Sequence, residues 1–499
     1  MADKSGLYLG IDVGTSGARA LLMAEDGSVL RTASADYPLS APKNGWAEQS
    51  PEQWFMAVAS ASREALRDGG ATELRAVGLT GQMHGLVCLN SGGNVLRPAI
   101  LWCDQRTAAE CAEITEKIGA ARLIELTANP ALTGFTAPKI LWVRKNEPRV
   151  YEKTAKMMLP KDYIRYKLTG EHATDVSDAS GTGIFNVARR DWEPEALEKL
   201  DIDPALLGRV FESCEITGAV SAEASALTGI PVGTPVVAGA GDNAAAAVGT
   251  GVTRDGEAFV TIGSSGVVFA HTSRMTLDSC GRVHTFCAAV PGEWHVMGVT
   301  LAAGMSLKWF RDNFAPDKSY PELDALASAV PIGADRLIWL PYLNGERSPH
   351  LDPDCRGAFV GLSGAHGAGA LARAVMEGVT FSLRDCRDII ADMGVRFDGI
   401  TVCGGGGASP FWRQMLADVL AAPVSTVQTS EGPALGAAML AAVAAGAYAN
   451  VPEAAGAIIR RSPAQQPNAA AGREYMRYHA LYGRLYESLR DDFKALAGM

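Results

Sequence analysis

The feature of this sequence that most constrains its fold is a short motif that occurs twice. Residues 12–17 read Asp-Val-Gly-Thr-Ser-Gly, and residues 261–266, which begin 249 residues later, read Thr-Ile-Gly-Ser-Ser-Gly. Both copies lie between two apolar stretches that predict β-strands. A repeat at half the chain length indicates two lobes of similar architecture rather than a short-period solenoid. We therefore expect one lobe in residues 1–245, a second lobe in residues 246–499 and a cleft between them.

Length and composition agree with a two-lobed globular protein. The 499 residues exceed what one hydrophobic core usually holds, and 47% apolar with 20% charged residues is typical of an α/β chain. The net charge of -10 and the scattered Lys and Arg residues argue against a nucleic-acid partner. Nine cysteines without a Cys-x-x-Cys pair predict neither a disulfide framework nor a zinc site, so we expect a cytoplasmic protein.

No membrane segment or export signal is expected. The chain enters a strand pattern at residue 7 with no long apolar stretch before it. The most apolar late stretch, residues 434–448, is rich in Ala and Gly and too short to span a bilayer.

Strand, turn and helix patterns alternate along the chain, as an α/β fold requires. Ser50 and Pro51 begin a helix that is expected to run to about Arg67, and the last fifty residues predict helices that cover the second lobe. Apolar runs bounded by turn residues predict strands at 7–13, 18–23, 29–34, 76–80, 85–89, 235–239 and 399–403.

The two Gly-x-x-Gly turns suit the binding of phosphate groups. Glycine lets backbone N–H groups approach a ligand closely, so both turns could hold the phosphates of one nucleotide. Either turn alone is better explained by the needs of a tight turn, but the matched pair favours the phosphate interpretation. The chain has neither a P-loop motif nor an uninterrupted Gly-x-Gly-x-x-Gly. The four glycines at 404–407 precede a helix and could lie against the nucleotide's base or α-phosphate, or could form only a tight crossover.

Two aspartates are candidates for the chemistry of the site. Asp12 lies in an apolar strand, where a carboxylate needs a partner, and Mg²⁺ beside the phosphates would be one. The alternative is that Asp12 caps its own turn. Asp242 follows a strand and could take the proton of a sugar hydroxyl as that oxygen attacks a phosphoryl group. The alternative is that Asp242 is the N-cap of the helix expected from residue 244.

A short loop combines groups that could hold a polyol. Gln82, Met83 and His84 bring an amide, an apolar side chain and an imidazole together. A single histidine is more often structural. Residues 102–106 (Trp-Cys-Asp-Gln-Arg) are expected near the site, with Asp104 and Arg106 paired with each other as the alternative to a substrate contact.

Taken together, these motifs resemble the FGGY family of carbohydrate kinases over nearly the whole chain, and within it the enzymes that act on D-xylulose. The resemblance implies two ribonuclease-H-like lobes of the actin, Hsp70 and sugar kinase superfamily around a cleft for ATP and sugar, with hinge closure and a possible homodimer. It rests on residues 10–16 (Gly-Ile-Asp-Val-Gly-Thr-Ser), 81–85 (Gly-Gln-Met-His-Gly), 101–106 (Leu-Trp-Cys-Asp-Gln-Arg), 134–142, 239–243 (Gly-Ala-Gly-Asp-Asn), 357–378 and the glycines at 404–407.

The same resemblance implies a role for individual residues. Asp242 corresponds to the catalytic base; Met83, His84 and Asn243 correspond to sugar contacts, together with Asp242; and Asp12 lies near Mg²⁺. Six further positions correspond to nucleotide contacts: Thr15, Gly263, Ser264, Gly405, Gly406 and Ala408. The expected reaction is phosphorylation of D-xylulose by ATP to D-xylulose 5-phosphate. A kinase for another ketose or polyol, such as ribulose, fuculose or a deoxy sugar, and a non-catalytic sugar or nucleotide sensor are the alternatives.

Overall fold

The computed structural model describes residues 6–67, 69, 71, 73–428 and 431–499, so the first five residues lie outside the described part of the chain. Its strands are β1 (Leu7–Val13), β2 (Gly17–Ala24), β3 (Val29–Asp36), β4 (Glu48–Gln49), β5 (Leu74–Gly81), β6 (Val87–Leu89), β7 (Ala99–Ile100), β8 (Lys156–Met158), β9 (Ala173–Asp175), β10 (Phe185–Asn186), β11 (Asp191–Trp192), β12 (Arg209–Phe211), β13 (Ile216–Ala219), β14 (Pro235–Val237), β15 (Ala240–Gly241), β16 (Glu257–Ile262), β17 (Gly266–Thr272), β18 (His284–Cys287), β19 (Trp294–Thr300), β20 (Ile338–Leu340), β21 (Ala358–Val360), β22 (Gly399–Cys403) and β23 (Val424–Ser425).

The strands alternate with helices. Its α-helices are α1 (Pro51–Ala65), α2 (Ala108–Ile118), α3 (Ala120–Thr127), α4 (Thr136–Asn146), α5 (Pro148–Lys153), α6 (Pro160–Thr169), α7 (Val176–Ala179), α8 (Pro194–Leu200), α9 (Ala222–Thr228), α10 (Asp242–Gly249), α11 (Gly304–Phe314), α12 (Tyr320–Ser328), α13 (Ala368–Asp392), α14 (Pro410–Leu420), α15 (Gly432–Ala444), α16 (Val451–Ile458) and α17 (Ala469–Ala497). Short 3-10 helices lie at Ser180–Thr182, Pro204–Leu206 and Gly405–Ala408.

Two mixed sheets that share a central arrangement of strands confirm the two lobes predicted from the repeat. The first sheet has the order β13-β14-β5-β1-β2-β3, and the second has the order β18-β19-β17-β16-β22-β23. In each, an antiparallel meander supplies the first strands, and the central strand pairs in parallel with a later one, β1 with β5 and β16 with β22. The predicted boundary at residues 245 and 246 falls within α10.

Alternation of side chains along β1 decides which residues face the second lobe. Leu9, Ile11 and Val13 belong to an apolar cluster that includes residues of α1. Tyr8 belongs to a different cluster, with residues of α15. Successive residues of a strand point to opposite faces, so Asp12 shares the face of Tyr8 and lies on the side where the second half of the chain packs.

Glycines allow α15 to pack directly on the first sheet. A Cβ at Gly10 would lie 2.0 Å from the carbonyl oxygen of Ala434, and one at Gly78 would lie 1.8 Å from that of Ala437. A Cβ at Gly436 would lie 1.9 Å from the carbonyl oxygen of Ala245 in α10. The second half of the chain thus contributes a helix that packs on the strands of the first.

The C-terminal helices cover the second lobe, as the sequence predicts. The long helix α17 buries Tyr475, Tyr482 and Tyr486 against the second core. The hydroxyl of Tyr342 donates to that of Tyr482 at 2.9 Å. Among the helices of the described residues, none has both the length and the apolar character needed to cross a bilayer.

Candidate active site

The ends of three neighbouring strands bring the predicted catalytic residues to one edge of the first sheet. In the parallel pairs, Val13 of β1 lies opposite Gly81 of β5, and Gly81 lies opposite Gly241 of β15. Asp12 therefore comes one residue before Val13, and Asp242 comes one residue after Gly241, at the same edge of the sheet. The carboxyl ends of parallel strands meet at one edge, which is the usual position of ligand sites in α/β proteins.

Asp242 is not the N-cap of α10, contrary to the alternative given by the sequence. The helix α10 begins at Asp242 itself, with Gly241 in the capping position. Oδ1 of Asp242 accepts hydrogen bonds from the backbone N–H of Asn243 at 2.7 Å and from its Nδ2 at 2.9 Å. Burial raises the pKa of Asp242 to about 6, and the bonds from Asn243 oppose this shift. Asp242 is partly exposed, and with a pKa of about 6 it is mostly ionised at neutral pH.

Asp12 is a largely buried carboxylate at the same edge of the sheet. Its Oδ1 is buried and has no hydrogen-bond partner among the described residues. No hydrogen bond joins Asp12 to residues 14–17, all of which are described, so the turn-capping alternative is wrong. Burial, with a further contribution from the charge of Asp242, raises the pKa of Asp12 to about 7, whereas Arg19 lowers it.

The residues around Asp12 fit a magnesium ion. Within the described ranges, no group of three or more His, Cys, Asp or Glu side chains converges on a point, so the protein offers no closed cage for a metal. Mg²⁺ commonly keeps several waters and takes one or two carboxylates beside substrate phosphates. An unpartnered Asp12 oxygen with a second carboxylate nearby meets that requirement.

The first glycine turn is held by the loop at residues 82–84. The N–H of Gly14 donates to the carbonyl of Gly17 at 3.0 Å and closes the turn. The Thr15 hydroxyl donates to Oε1 of Gln82 at 3.1 Å and accepts from Nε1 of Trp102 at 3.0 Å. Gln82 therefore serves the framework of the site, whereas Trp102 is 44% exposed and lies beside the turn, as predicted for its segment.

The Asp104–Arg106 pair is structural. Arg106 donates to Oδ2 of Asp104 at 2.6 Å and to Glu48 at 2.7 Å. The backbone N–H of Ala47 also donates to Oδ2 of Asp104, at 2.6 Å. Both side chains are thereby used inside the first lobe, and Trp102 is the residue of this segment that reaches the site.

Met83 and His84 follow the same strand end. Met83 is buried against Gly241, where a Cβ would lie 2.9 Å from its sulfur. His84 has a positive φ of 67°, places Nδ1 2.7 Å from the carbonyl oxygen of Gly181, and stacks on Phe135 with ring centroids 4.8 Å apart. Burial, and secondarily Lys139, lower the pKa of His84 to about 3, so the ring is neutral. Because a carbonyl only accepts, Nδ1 carries the proton and Nε2 is an acceptor suited to a sugar hydroxyl.

A segment that the sequence analysis missed supports these residues. The Ser177 hydroxyl accepts from the N–H of Gly241 at 3.1 Å and donates to Asp175 at 2.6 Å. Lys161, fully buried, lies 3.0 Å from Asp175. Ser177 thus holds Gly241, the residue before Asp242, and Gly181 holds His84. Nothing in the sequence around Ser177 and Gly181 distinguishes it from an ordinary helix start.

In the second lobe, the other glycine turn and the glycine run lie side by side. Thr261 of β16 is paired with Cys403 of β22, so the turn at 263–266 and the glycines at 404–407 follow adjacent parallel strands. A Cβ at Gly404 would lie 2.6 Å from the carbonyl oxygen of Ile262. The close approach of these two backbones explains why glycine is needed here.

A cavity of about 680 Å³ opens beside the glycine run, within the size range of small-molecule sites. Of the six residues predicted to contact the nucleotide, Ala408 lines this cavity. Gly405 and Gly406 lie between Gly404 and Gly407, which line the cavity. Gly263 and Ser264 are in the adjacent turn, and Thr15 belongs to the first lobe. Gly404 and Gly407 of the predicted glycine run also line it, together with residues that the sequence analysis did not single out as nucleotide contacts, namely Thr261, Cys403, Arg413, Thr426, Gln428 and Gly432.

The geometry places a sugar-type loop and two carboxylates on one lobe and a nucleotide-sized cavity on the other. Comparison with protein families gives a decisive match. The N-terminal domain of the FGGY family of carbohydrate kinases matches residues 7–249, and its C-terminal domain matches residues 258–445. The chain belongs to the FGGY family of carbohydrate kinases. The prediction of an ATP-dependent sugar kinase with two α/β lobes is thereby confirmed.

Several relatives of this FGGY kinase match over nearly their full length. A xylulose kinase of Bacillus subtilis is 39% identical over 485 residues, which cover 97% of both chains. A crystal structure of xylulose kinase from Rhodospirillum rubrum has a TM-score of 0.92 and 31% identity, covering 98% of this chain and 100% of that one. A gluconate kinase from Lactobacillus acidophilus has a TM-score of 0.93 and 27% identity, covering 98% and 99%.

Proposed function

We propose that this FGGY kinase transfers the γ-phosphoryl group of ATP to the 5-hydroxyl of D-xylulose. The observation that carries the proposal is the full-length similarity to a protein named xylulose kinase at 39% identity. The Gly-Gln-Met-His-Gly loop at residues 81–85, next to Asp242, supports it, because such a loop resembles that of ketopentose kinases.

In this proposal Asp242 is the general base. Its carboxylate accepts the proton of the 5-hydroxyl while that oxygen forms a bond to the γ-phosphorus and the bond from phosphorus to the leaving oxygen of ADP breaks. A pKa of about 6 supports the role, since the group is ionised at neutral pH yet more basic than a solvated aspartate. Met83, His84 and Asn243 hold the sugar, with His84 accepting a hydroxyl through Nε2.

The nucleotide is proposed to lie between the two glycine turns, with its base toward the cavity beside the glycine run. Thr15, Gly263 and Ser264 would meet the phosphates, and Gly405, Gly406 and Ala408 would line the path of the nucleotide. Asp12 would hold Mg²⁺, directly or through water, and the ion would offset charge on the phosphate oxygens. The sugar would belong to residues 1–245 and ATP mainly to residues 246–499. A homodimer and a cytoplasmic location stay predictions.

The similarity to a gluconate kinase supports one alternative substrate, D-gluconate. Magnesium-dependent ADP release should be measured with D-xylulose, D-ribulose, L-ribulose, L-fuculose, glycerol and D-gluconate. The highest kcat/KM is expected with D-xylulose. A preference for D-gluconate or for ribulose would retain the site residues and replace the proposed substrate, and an absence of turnover with every compound would contradict the proposal.

A further inference from the structure

One arginine of the second lobe, Arg347, is held near the strand end that meets the loop at residues 82–84. Arg347 lies in the connection between β20 and β21, and the residues on either side of it are fixed. Oε1 of Glu346 accepts from the N–H of Leu301 at 2.8 Å. The N–H of Ser348 donates to the carbonyl of Val299 at 3.0 Å, and the Ser348 hydroxyl accepts from the N–H of Val299 at 3.2 Å. The backbone of Arg347 is therefore attached to the end of β19.

The end of β19 is the place where the two halves of the site meet. Thr300 pairs with Gly266, the last residue of the second glycine turn. Val299 packs against an apolar cluster that includes Met83 and Phe135 of the first lobe. Attachment at this point puts Arg347 between the phosphate side and the sugar side of the cleft.

The guanidinium of Arg347 makes no hydrogen bond or ion pair within the part of the chain that the structure describes. The carboxyl of the neighbouring Glu346 is turned to backbone N–H groups, and burial raises its pKa to about 8. The charge of Arg347 acts on His84 and His284: burial lowers the pKa of both rings first, and Arg347 lowers them further, after Lys139 in the case of His84. By contrast, the buried Arg106 is paired with two carboxylates. Because unused donors of a partly buried arginine are costly, an acceptor from a ligand is expected here.

The chemistry of the substrate indicates which acceptor this is, and the argument rests on the proposed function. When a 2-ketopentose closes to a furanose, its 5-oxygen bonds to C2, so a free 5-hydroxyl exists only in the open chain. The bound sugar then carries a carbonyl at C2, whose oxygen accepts hydrogen bonds and cannot donate them. Arginine donates and cannot accept.

We propose that Arg347 donates to the C2 carbonyl oxygen of the open-chain ketose and so selects ketoses over the corresponding polyols. In this pose Asp242 receives the 5-hydroxyl, and the C2 carbonyl lies toward the cluster of Met83 and Phe135, against which Val299 packs. The bond between Ser348 and Val299 holds Arg347 beside this cluster, on the side of the loop that would hold the sugar. This arrangement favours the carbonyl over the transferred phosphoryl group as the ligand of Arg347.

The test compares a ketose with a polyol that differs from it only at C2. KM and kcat are measured for D-xylulose, and xylitol is titrated as a competitive inhibitor. In Arg347→Met, KM for D-xylulose should rise roughly 10–100-fold, the usual loss for a hydrogen bond to a charged donor. The inhibition constant of xylitol should change by less than about threefold. Arg356→Met is the matched control, because Arg356 is exposed and bonds to backbone carbonyls of its own loop.

The outcomes separate the possibilities. Equal weakening of D-xylulose and xylitol would overturn the proposal, as would a fall in kcat and in sugar-independent ADP release at unchanged KM, which would assign Arg347 to the phosphoryl group. Failure of the wild-type protein to use D-xylulose would overturn both the proposed function and this inference. If thermal unfolding shows that Arg347→Met does not fold, Arg347→Lys replaces it, with an expected tenfold or so rise in KM for D-xylulose alone.

Discussion

Replacing Asp242 by asparagine should stabilise the protein and nearly abolish its activity. The asparagine keeps the size of the side chain and an oxygen that can accept from Asn243, but it cannot be ionised. In the wild type, burial raises the pKa of Asp242 from 3.8 to about 6. A carboxylate with a raised pKa is costly when ionised, so the folded protein loses stability as the pH rises through about 6.

The size of the effect follows from the pKa shift. A rise in pKa from 3.8 to about 6 corresponds to about 3 kcal/mol, and the partial exposure of Asp242 reduces this to roughly 1–2 kcal/mol. For a lobe of about 250 residues, Asp242→Asn should therefore raise Tm by roughly 2–8 °C at pH 8. Near pH 4, close to the unfolded-state pKa of 3.8, the carboxyl of the folded wild type is neutral and most of the difference should vanish.

Activity should move in the opposite direction. Loss of a general base costs roughly 10²–10⁴-fold in kcat, and kcat of the wild type should fall as the pH drops below about 6. Thermal unfolding without ligands and ADP release are measured from pH 4 to pH 8. Asp317→Asn is the control, because Lys318 lowers the pKa of this exposed carboxyl and no gain in Tm is expected. A Tm gain that persists at pH 4 would refute the burial argument, and near-normal kcat would refute the role of base.

Three further substitutions test the remaining parts of the site. Asp12→Asn should raise the Mg²⁺ concentration for half-maximal ADP release by tenfold or more, and an unchanged magnesium titration would contradict the assignment. Gly405→Val should raise KM for ATP roughly tenfold without loss of Tm, because a Cβ at Gly405 meets no atom within 4 Å; Gly364→Val, equally open, should leave KM unchanged. His84→Phe should raise KM for the sugar roughly 10-fold and leave KM for ATP unchanged, since it removes one acceptor from the sugar side; equal effects on both would argue against a sugar contact.

The lobes could be predicted from the sequence because the repeated turn lies between strands whose pattern is local. The opening meander follows the prediction closely, and β2 begins at Gly17 because that residue already pairs with Asp36. The strand predicted at 235–239 is divided into β14 and β15, since Gly239 adopts a φ of 78°. The position of α15 could not be predicted: an Ala-rich helix has no polar face to show which surface it covers.

Some residues of the candidate site could likewise be predicted from the sequence, and others could not. Asp12, His84 and Asp242 could be found because polar residues that end buried strands converge at one edge of a sheet. Ser177 and Arg347 could not, because Ser177 and the two neighbours of Arg347 are fixed by contacts with residues more than forty positions away in the chain. Such contacts leave no local pattern.

The packing of α15 links the lobe interface to the chemistry. Gly10 precedes Asp12 by two residues on the same face of β1, and the helix α10, which begins at Asp242, packs against α15 through Gly436. Close-packed interiors transmit displacement, so a methyl group at Gly10, 2.0 Å from the Ala434 carbonyl oxygen, has to move either β1 or α15. Either movement changes the separation of the two carboxylates. The glycines between the lobes therefore set the geometry in which a sugar hydroxyl and a metal-bound phosphate would meet.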